Sequence, residues 1–397
     1  MIIGLVGKPN CGKSTFFKAA TLADVEIANY PFTTIEKNEG VGFVSVDCVD
    51  NFFNVQCSPK FGYCVKHKRF VPVQLIDVAG LVPDAHLGKG RGNQFLDDLR
   101  QADVLIHIVD ISGSVNEHGE PVEPLSYDPA NDISFLEVEL DMWYFQIIKK
   151  GWERFSRQIV QERTDVVKAL AKQLSGLKVT EEHVLTAFRE LNLPMDVLAL
   201  KDDHLKALAS ELRQVTKPMV IAANKIDIPG SDKNLERLIK LFPKYRIIPC
   251  SADFELALKE AAKNKLIQYI PGSANFTILN ESNLTPKQKE ALKFIQGLLD
   301  KYGSTGIQNV LNYAVFELLN YIAIFPVANS HLTDKDNRIL PDCYLVPKDT
   351  TALDFAFRVH TDIGSNFVRA IDLKTKKVVG KDHKLQHMDV VEIVSSK

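Results

Sequence analysis

The chain has 397 residues, a formal net charge of −2 and six cysteines. This length allows two or three domains with a sizeable core, and the near-neutral charge argues against a chain that binds nucleic acid over its whole surface. No apolar run has the length of a membrane span and the cysteines are scattered, so we expect a reduced cytoplasmic monomer without membrane attachment.

The first predicted element is an apolar strand at residues 2–6, followed directly by the run Gly7–Ser14. This run matches the phosphate-binding loop pattern G-x-x-x-x-G-K-[ST], and a helix is predicted from Thr15. Glycines allow backbone N–H groups to turn toward anionic oxygens. Lys13 is expected to reach the β- and γ-phosphates, and the Ser14 hydroxyl to ligate Mg²⁺. The predicted nucleotide-binding residues here are Gly7, Lys8, Pro9, Asn10, Cys11, Gly12, Lys13, Ser14 and Thr15.

Two further segments are candidates for sensing the γ-phosphate. The segment Tyr30–Ile35 contains a pair of threonines, one of which is expected to complete the oxygen shell of Mg²⁺, although such a pair also suits the start of a strand. A strand predicted at 71–76 leads into a D-x-x-G element. There Asp77 would hold Mg²⁺ through water, and the Gly80 N–H would contact the γ-phosphate.

The segment between these elements contains Cys57, Cys64 and His67, with Cys48 upstream. Three soft ligands within eleven residues are compatible with a Zn²⁺ site, with Cys48 as a fourth ligand. Their spacing matches no common zinc motif, and the segment is predicted to form an edge hairpin. Small thiols that pack on a hairpin are therefore the favoured interpretation.

A buried strand is predicted up to Asp110, and the hydrophobic period changes at Glu139. Apolar residues then recur at helical spacing as far as Leu174, which predicts one helix of about ten turns ending at Ser175 and Gly176. Shorter helices are predicted at 180–191 and 203–215. Between Lys149 and Lys178, eight basic residues oppose three acidic ones. This imbalance is compatible with RNA contact or with a solvated helix face.

The next strand, at 218–223, delivers Asn224, Lys225 and Asp227 in an N-K-x-D box that resembles the guanine-specificity motif of GTPases. A carboxylate at Asp227 can accept two hydrogen bonds from the N1–H and 2-amino edge of guanine, whereas adenine lacks this pair of donors. A strand at 245–249 leads to Ser251 and Ala252, which resemble the loop whose backbone contacts guanine O6. Guanine is therefore the predicted base.

Helices predicted at 285–302 and 307–322 precede a C-terminal module. Its strands are predicted at 324–327, 343–346, 367–371 and 390–394, and its helix at 351–360. The runs His360–Gly364 and Leu385–Val391 resemble the TGS domain of threonyl-tRNA synthetases and stringent-response enzymes. That resemblance implies a small β-grasp fold.

Asn29–Ile35, Asp77–His86 and Gly88–Leu96 together resemble the Obg-like GTPases, and in particular the archaeal and eukaryotic relatives of YchF. The resemblance implies an α/β fold: a P-loop NTPase G domain with a doubly wound, mostly parallel sheet, an inserted helical hairpin or coiled coil, and a C-terminal TGS domain. The order of the predicted elements along the chain places the G domain at 1–137 and 216–323, the insertion at 138–215 and the TGS domain at 324–397. The resemblance also favours Thr34 as the threonine ligand of Mg²⁺. YchF proper replaces the guanine box and binds ATP, whereas the box here is intact.

Leu81 follows Gly80, where Ras-type GTPases place the glutamine that orients the attacking water. We therefore expect slow GTP hydrolysis that depends on positioning, Mg²⁺ and Lys13. Asn10 is a candidate ligand of K⁺, as in potassium-stimulated relatives, and His86 is a candidate catalytic side chain. The predicted function is a GTPase switch that acts on the ribosome or its RNA. The alternatives are a nucleotide-sensing adaptor that binds a protein through the TGS domain, and an ATPase.

Overall fold

The computed structural model describes residues 1–22, 38–78, 98–334 and 336–396. The chain divides into two compact units. The first unit consists of Met1–Phe17 and Leu75–Ala252, and the second consists of Lys18–Gln74 and Asp253–Lys397.

Strands and helices both occur in each of the two units. The strands are β1 (Ile2–Val6), β2 (Glu39–Asp47), β3 (Tyr63–Val65), β4 (Lys68–Asp77), β5 (Val104–Asp110), β6 (Met219–Asn224), β7 (Ile247–Pro249), β8 (Ile267–Tyr269), β9 (Phe276–Ile278), β10 (Tyr321–Val327), β11 (Tyr344–Pro347), β12 (Phe367–Asp372), β13 (Lys377–Val379) and β14 (Val390–Ser395). The α-helices are α1 (Lys13–Thr21), α2 (Ala130–Lys149), α3 (Trp152–Glu162), α4 (Val166–Gln173), α5 (Glu181–Glu190), α6 (Asp202–Thr216), α7 (Ser231–Leu241), α8 (Ala252–Lys263), α9 (Pro286–Tyr302), α10 (Ile307–Asn312), α11 (Ala352–Val359) and α12 (Thr361–Ser365).

A parallel sheet forms the centre of the first unit. β5 pairs with β1 on one side and with β6 on the other, and β6 pairs with β7. Every residue of β5 and β6 is buried, as expected for parallel strands that are covered on both faces. The end of β4 also belongs to this unit, where the Val78 N–H donates to the Leu5 carbonyl over 3.1 Å. The predicted α/β architecture is therefore confirmed.

The prediction of a single helix of about ten turns after Glu139 is wrong. The structure has α2, α3 and α4 in its place, because Gly151 and Arg163 adopt left-handed backbone conformations with φ of 72° and 52°. The Asp165 side chain then caps α4 by accepting hydrogen bonds from the N–H groups of Val167 and Lys168. The predicted apolar stripe nevertheless exists, since its residues from all three helices pack in one buried cluster.

Polar contacts hold α2 against α6 in the first unit. The Tyr144 hydroxyl lies 2.7 Å from the Thr216 hydroxyl in a buried position. Arg213, whose side chain is almost fully buried, donates from Nε to Asp141 over 2.7 Å.

The helices predicted at 180–191 and 203–215 correspond to α5 and α6, and Thr180 forms the N-terminal cap of α5.

The second unit contains a five-stranded sheet with the order β11-β10-β14-β12-β13. β10 and β14 are parallel, whereas the other neighbouring pairs are antiparallel. The buried Ala352 and Phe355 of α11 belong to the apolar cluster of this sheet. Elsewhere in the unit β3 and β4 form the antiparallel hairpin that was predicted near the cysteines.

The helix predicted at 307–322 ends earlier than expected. α10 continues as a π-helix over Tyr313–Leu318, and Asn320 adopts a φ of 51° before β10 begins. The side chains of Gln308 and Asn312 bind the backbone of β2, through the Phe43 carbonyl and both backbone polar groups of Ser45. These contacts fix the helix against β2 within the second unit.

Candidate functional site

The predicted nucleotide loops lie together in the first unit, at the carboxyl ends of β1, β4, β6 and β7. Carboxyl ends of parallel strands open onto the same edge of a sheet, where ligands of open α/β folds bind.

The phosphate-binding loop connects β1 to α1 and requires its glycines for steric reasons. Gly12 has a φ of 93°, and a Cβ atom there would collide with the side-chain amide of Asn224. A Cβ atom at Gly7 would lie 2.6 Å from the Ile108 carbonyl oxygen. The Phe16 N–H donates to the Gly12 carbonyl over 2.8 Å, so α1 starts directly from the loop. Its N-terminus offers backbone N–H groups and a partial positive charge for phosphate oxygens.

Lys13 and Asp77 form an ion pair beside this loop. Both side chains are partly buried, and Asp77 is the last residue of β4. Ser14 lies in the first turn of α1 with its side chain exposed. A hydroxyl and a carboxylate are the hard oxygen donors that Mg²⁺ prefers, so Ser14 and Asp77 fit the predicted metal role.

Asn224 links the phosphate-binding loop to the predicted guanine loop. This buried side chain donates from Nδ2 to the Cys11 carbonyl and accepts at Oδ1 from the Ala252 N–H, each over 3.0 Å. Its amide therefore satisfies one backbone group in each loop and fixes the distance between them.

Asp110 is a site residue that the sequence reasoning missed. Its carboxylate is fully buried and lies 2.9 Å from the Lys225 ammonium. It also accepts hydrogen bonds from Ser112 and Ser114, and Lys225 in turn donates to the Asn10 carbonyl over 3.1 Å. The sequence signal was an aspartate at the end of an entirely apolar strand, directly before the small polar residues of a turn.

The predicted base-recognition residues come from two loops that bind each other. The Ile226 N–H donates to the Cys250 carbonyl over 3.2 Å, and the Cys250 N–H donates to the Ala223 carbonyl over 2.9 Å. Asp227 is half-buried, whereas Ser251 is fully buried. Burial, together with the nearby charge of Asp227, raises the pKa of the Cys250 thiol.

The side chain of Lys8 points away from the predicted phosphate site. Its ammonium lies 2.7 Å from the Val115 carbonyl oxygen, 2.9 Å from Asp132 and 3.8 Å from the centre of the Tyr127 ring. Lys8 is therefore available to a nucleotide only through its backbone. The Asn10 side chain donates from Nδ2 to the Gly119 carbonyl over 2.8 Å, which leaves Oδ1 as its candidate atom for K⁺.

His107, a buried residue of β5, is expected to make the stability of the first unit depend on pH. Burial, aided by the positive charge of Lys8, lowers its pKa from 6.5 to about 3. The folded state therefore keeps the imidazole neutral, and its contribution to stability is fully present above pH 6.5. That contribution is lost as the pH falls from 6.5 toward 3, because the unfolded chain then binds one more proton.

Denaturation followed by tryptophan fluorescence measures this dependence, since Trp143 and Trp152 both lie in the core of the first unit. His107→Leu should reduce the slope of unfolding free energy against pH by up to about 1.4 kcal/mol per pH unit between pH 6.5 and 3. His118→Leu, at an exposed position, is the matched control and should leave the slope unchanged. Equal slopes in both variants would contradict the prediction.

Four residues of the sequence-based interpretation lie outside the described residues. They are Thr34, Gly80, Leu81 and His86.

Comparison with known proteins identifies the family. The chain is 46% identical, over its whole length and 99% of the relative's length, to an uncharacterized GTP-binding protein of Methanocaldococcus jannaschii. The chain therefore belongs to a family of GTP-binding proteins. It is also 37% identical, over 89% of its length and 88% of the relative's, to an uncharacterized GTP-binding protein of Schizosaccharomyces pombe.

Three family models match separate parts of the chain. Residues 2–136 match the model described as 50S ribosome-binding GTPase. Residues 222–329 match the G4 motif-containing domain of the YGR210-like Obg-like GTPases, and residues 332–395 match the TGS domain. The chain is an Obg-like GTP-binding protein. The predicted family and the predicted C-terminal TGS domain are thereby confirmed.

A solved structure supports the same assignment. The GTP-binding protein from Pyrococcus horikoshii aligns with a TM-score of 0.79 at 39% identity, and the alignment covers both chains completely. The Schizosaccharomyces pombe YchF GTPase aligns with a TM-score of 0.60 at 21% identity, over 99% of this chain and 97% of that one, and shows the shared fold. Among the described residues, no helix is both long and apolar enough to span a membrane.

Proposed function

We propose that this chain is a cytoplasmic, monomeric switch that binds GTP with Mg²⁺, hydrolyses it slowly and acts on the ribosome. The proposal assigns nucleotide chemistry to a G domain at 1–137 and 216–323. The insertion at 138–215 and the TGS domain at 324–397 would serve partner binding.

The observation that carries the nucleotide assignment is the bridge formed by Asn224. It holds the phosphate-binding loop and the Ser251–Ala252 loop together, and Asp227 lies three residues beyond it. One end of a nucleotide would then contact backbone N–H groups at the start of α1, while its base would lie beside the Asp227 carboxylate. A carboxylate that only accepts hydrogen bonds matches the two donors of guanine and not the single amino group of adenine.

In the GTP complex, Lys13 would exchange its contact with Asp77 for the β- and γ-phosphate oxygens. Asp77 and Ser14 would hold Mg²⁺, which supplies charge neutralisation to the transferring phosphoryl group. Thr34, Gly80 and His86 keep their proposed roles near the γ-phosphate. The apolar Leu81 follows Gly80 and cannot orient a water molecule, which is the reason for the expected slow rate.

Asn10 is the residue through which K⁺ would act on hydrolysis. Replacing Na⁺ with K⁺ should raise the rate of phosphate release, because a cation at Oδ1 would add positive charge beside the phosphates. Asn10→Ala should abolish the difference between the two salts. Equal rates of the unsubstituted protein in Na⁺ and K⁺ would contradict this role.

Ribosome action is supported by the names of relatives and by the exposed basic residues of the insertion. A relative from Buchnera aphidicola that is 27% identical over 94% of this chain is named ribosome-binding ATPase YchF. On the insertion, Lys150, Arg154 and Lys168 are exposed. Arg157 is also exposed, but it already pairs with Glu153 over 3.3 Å. The first three are therefore the better candidates for contact with RNA phosphates.

Reversing Lys150, Arg154 and Lys168 to Glu should weaken cosedimentation with ribosomes, and the loss should be largest at low salt because phosphate contacts release counterions. The affinity for GTP should stay unchanged, since these residues lie outside the nucleotide loops. Reversing Lys233, Lys240 and Lys289, which are exposed on α7 and α9, makes the same change in net charge as a control.

Ribosome binding that survives the insertion reversal, or that falls equally in the control, would contradict the RNA-binding role. Binding that does not depend on GTP would favour the alternative of an adaptor that acts through its TGS domain.

A further inference from the structure

Four side chains with metal-binding atoms meet in the second unit, away from the nucleotide loops of the first. Cys48 follows β2, Asp50 and Cys57 lie in the loop after it, and Cys64 lies in β3. The three sulfur atoms and a carboxylate oxygen of Asp50 all lie within 4.8 Å of one another. Cys48, Asp50 and Cys57 are buried, and Cys64 is half-buried.

We propose that Cys48, Asp50, Cys57 and Cys64 bind one structural Zn²⁺ ion. Zinc sites of this type are tetrahedral, and Zn–S bonds of about 2.3 Å place neighbouring sulfur atoms about 3.8 Å apart. The Sγ atoms of Cys48 and Cys57 are 3.6 Å apart, and Cys64 Sγ lies 3.8 Å from Asp50 Oδ2. Two of the six separations are therefore close to those that the ion requires, and the other four are at most 4.8 Å.

The surrounding hydrogen bonds orient the carboxylate toward the thiols. Asp50 Oδ2 accepts from the Cys57 N–H over 3.1 Å, while Oδ1 lies 2.9 Å from His67 Nδ1. The Cys48 N–H also donates to the His67 carbonyl over 2.7 Å, which fixes the cysteine beside the β3–β4 turn. Ligands of zinc are commonly held by such outer hydrogen bonds, so His67 has the place of a positioning residue.

Burial of Asp50 is a second observation that favours a cation. Its side chain is fully buried, and no Lys or Arg in the described part of the chain lies within ion-pair distance of it. Its one ion-pair partner among the described residues is the His67 imidazole, which carries a charge only when protonated. A buried carboxylate without a permanently charged partner is costly, and a coordinated metal ion removes that cost.

The proposed ion would join the loop 48–62 to β3, beside contacts of this loop with the segment 339–341. The Ser58 and Lys60 N–H groups donate to the Ile339 and Pro341 carbonyls over 2.8 and 2.9 Å. Arg69 donates to the carbonyls of Leu340 and Pro341. Cys48 and Cys57 share an apolar cluster with residues of the five-stranded sheet, among them Phe325 and Val390. A closed site of four protein ligands has a structural role rather than a catalytic one.

Metal analysis of the purified full-length chain tests the site. We expect one zinc ion per chain and, after exchange for Co²⁺, the absorption bands of tetrahedral cobalt thiolate. Cys57→Ser and Cys64→Ser should each lose the metal or bind it at least tenfold more weakly, and His67→Ala should bind it more weakly by about tenfold. Cys343→Ser is the matched control, because Cys343 packs on the same apolar cluster but is not one of the four ligands.

Binding of GDP by each variant shows whether the first unit is folded, and circular dichroism shows whether the second unit keeps its strands. Titration of the unsubstituted protein with Co²⁺ tests the site without any substitution. Absence of zinc together with absence of the cobalt thiolate bands would overturn the proposal. A disulfide between Cys48 and Cys57 in peptides mapped without reductant, or equal loss of metal in Cys343→Ser, would also overturn it.

Discussion

Asp227→Asn is expected to weaken binding of GTP and GDP by about 3 kcal/mol, which is roughly two orders of magnitude in Kd. The carboxylate accepts from both donors of the guanine edge, whereas an amide would place a donor of its own against one of them. Xanthine carries a carbonyl where guanine has its amino group, so the variant should accept xanthine nucleotides better than the unsubstituted protein does.

Calorimetric titration with GTP, ATP and xanthosine triphosphate measures this change of preference. Glu236→Gln, at an exposed position on α7, removes the same charge and should leave all three affinities unchanged. If the unsubstituted protein bound ATP as tightly as GTP, the guanine assignment would be wrong and the ATPase alternative would replace it.

Asp110→Ala should have the largest effect on stability among the substitutions considered. The fully buried carboxylate binds the Lys225 ammonium and two serine side chains, so its removal leaves a partly buried charge and two hydroxyls without their acceptor. Breaking such a pair costs about 3 kcal/mol or more. Lys225 also holds the Asn10 carbonyl, so the affinity for nucleotide should fall together with stability.

Urea denaturation followed by tryptophan fluorescence reports the stability of the first unit, because both tryptophans lie in its core. Asp128→Ala is the matched control: Asp128 pairs with Arg237 where both side chains are about half exposed, and such pairs contribute at most about 1 kcal/mol. Equal losses in the two variants would show that Asp110 has no special role.

Local patterns predicted the phosphate-binding loop and the strands that lead to the guanine box, because glycine spacing and continuous apolar runs are local properties. The role of Asp110 was missed because its charged partner, Lys225, is 115 residues away; the local pattern at the end of β5 indicates only an aspartate before a polar turn. No local sequence feature predicts the left-handed backbone at Arg163. Gly151 is a residue that favours such a conformation, but the continuous apolar stripe favoured one unbroken helix.

The proposed zinc ligands also could not be predicted from local patterns. The spacing of Cys57 and Cys64 matches no recognised metal motif, and it favours the interpretation that these thiols pack on a hairpin. The fold brings Cys48 and Asp50 beside them, and nothing in the spacing of the cysteines indicates a carboxylate ligand. Only the three-dimensional arrangement supplies the fourth ligand.

The double contact of Asn224 has a consequence for the energetics of ligand binding. One rigid amide spans both loops, so a ligand fragment that orders either loop lowers the entropic cost of ordering the other. Phosphate and base would then behave as the two arms of a chelate: each arm raises the effective local concentration of the other. A whole nucleotide would therefore bind more tightly than the separate affinities of its halves imply, and free guanine or free phosphate would compete poorly with it.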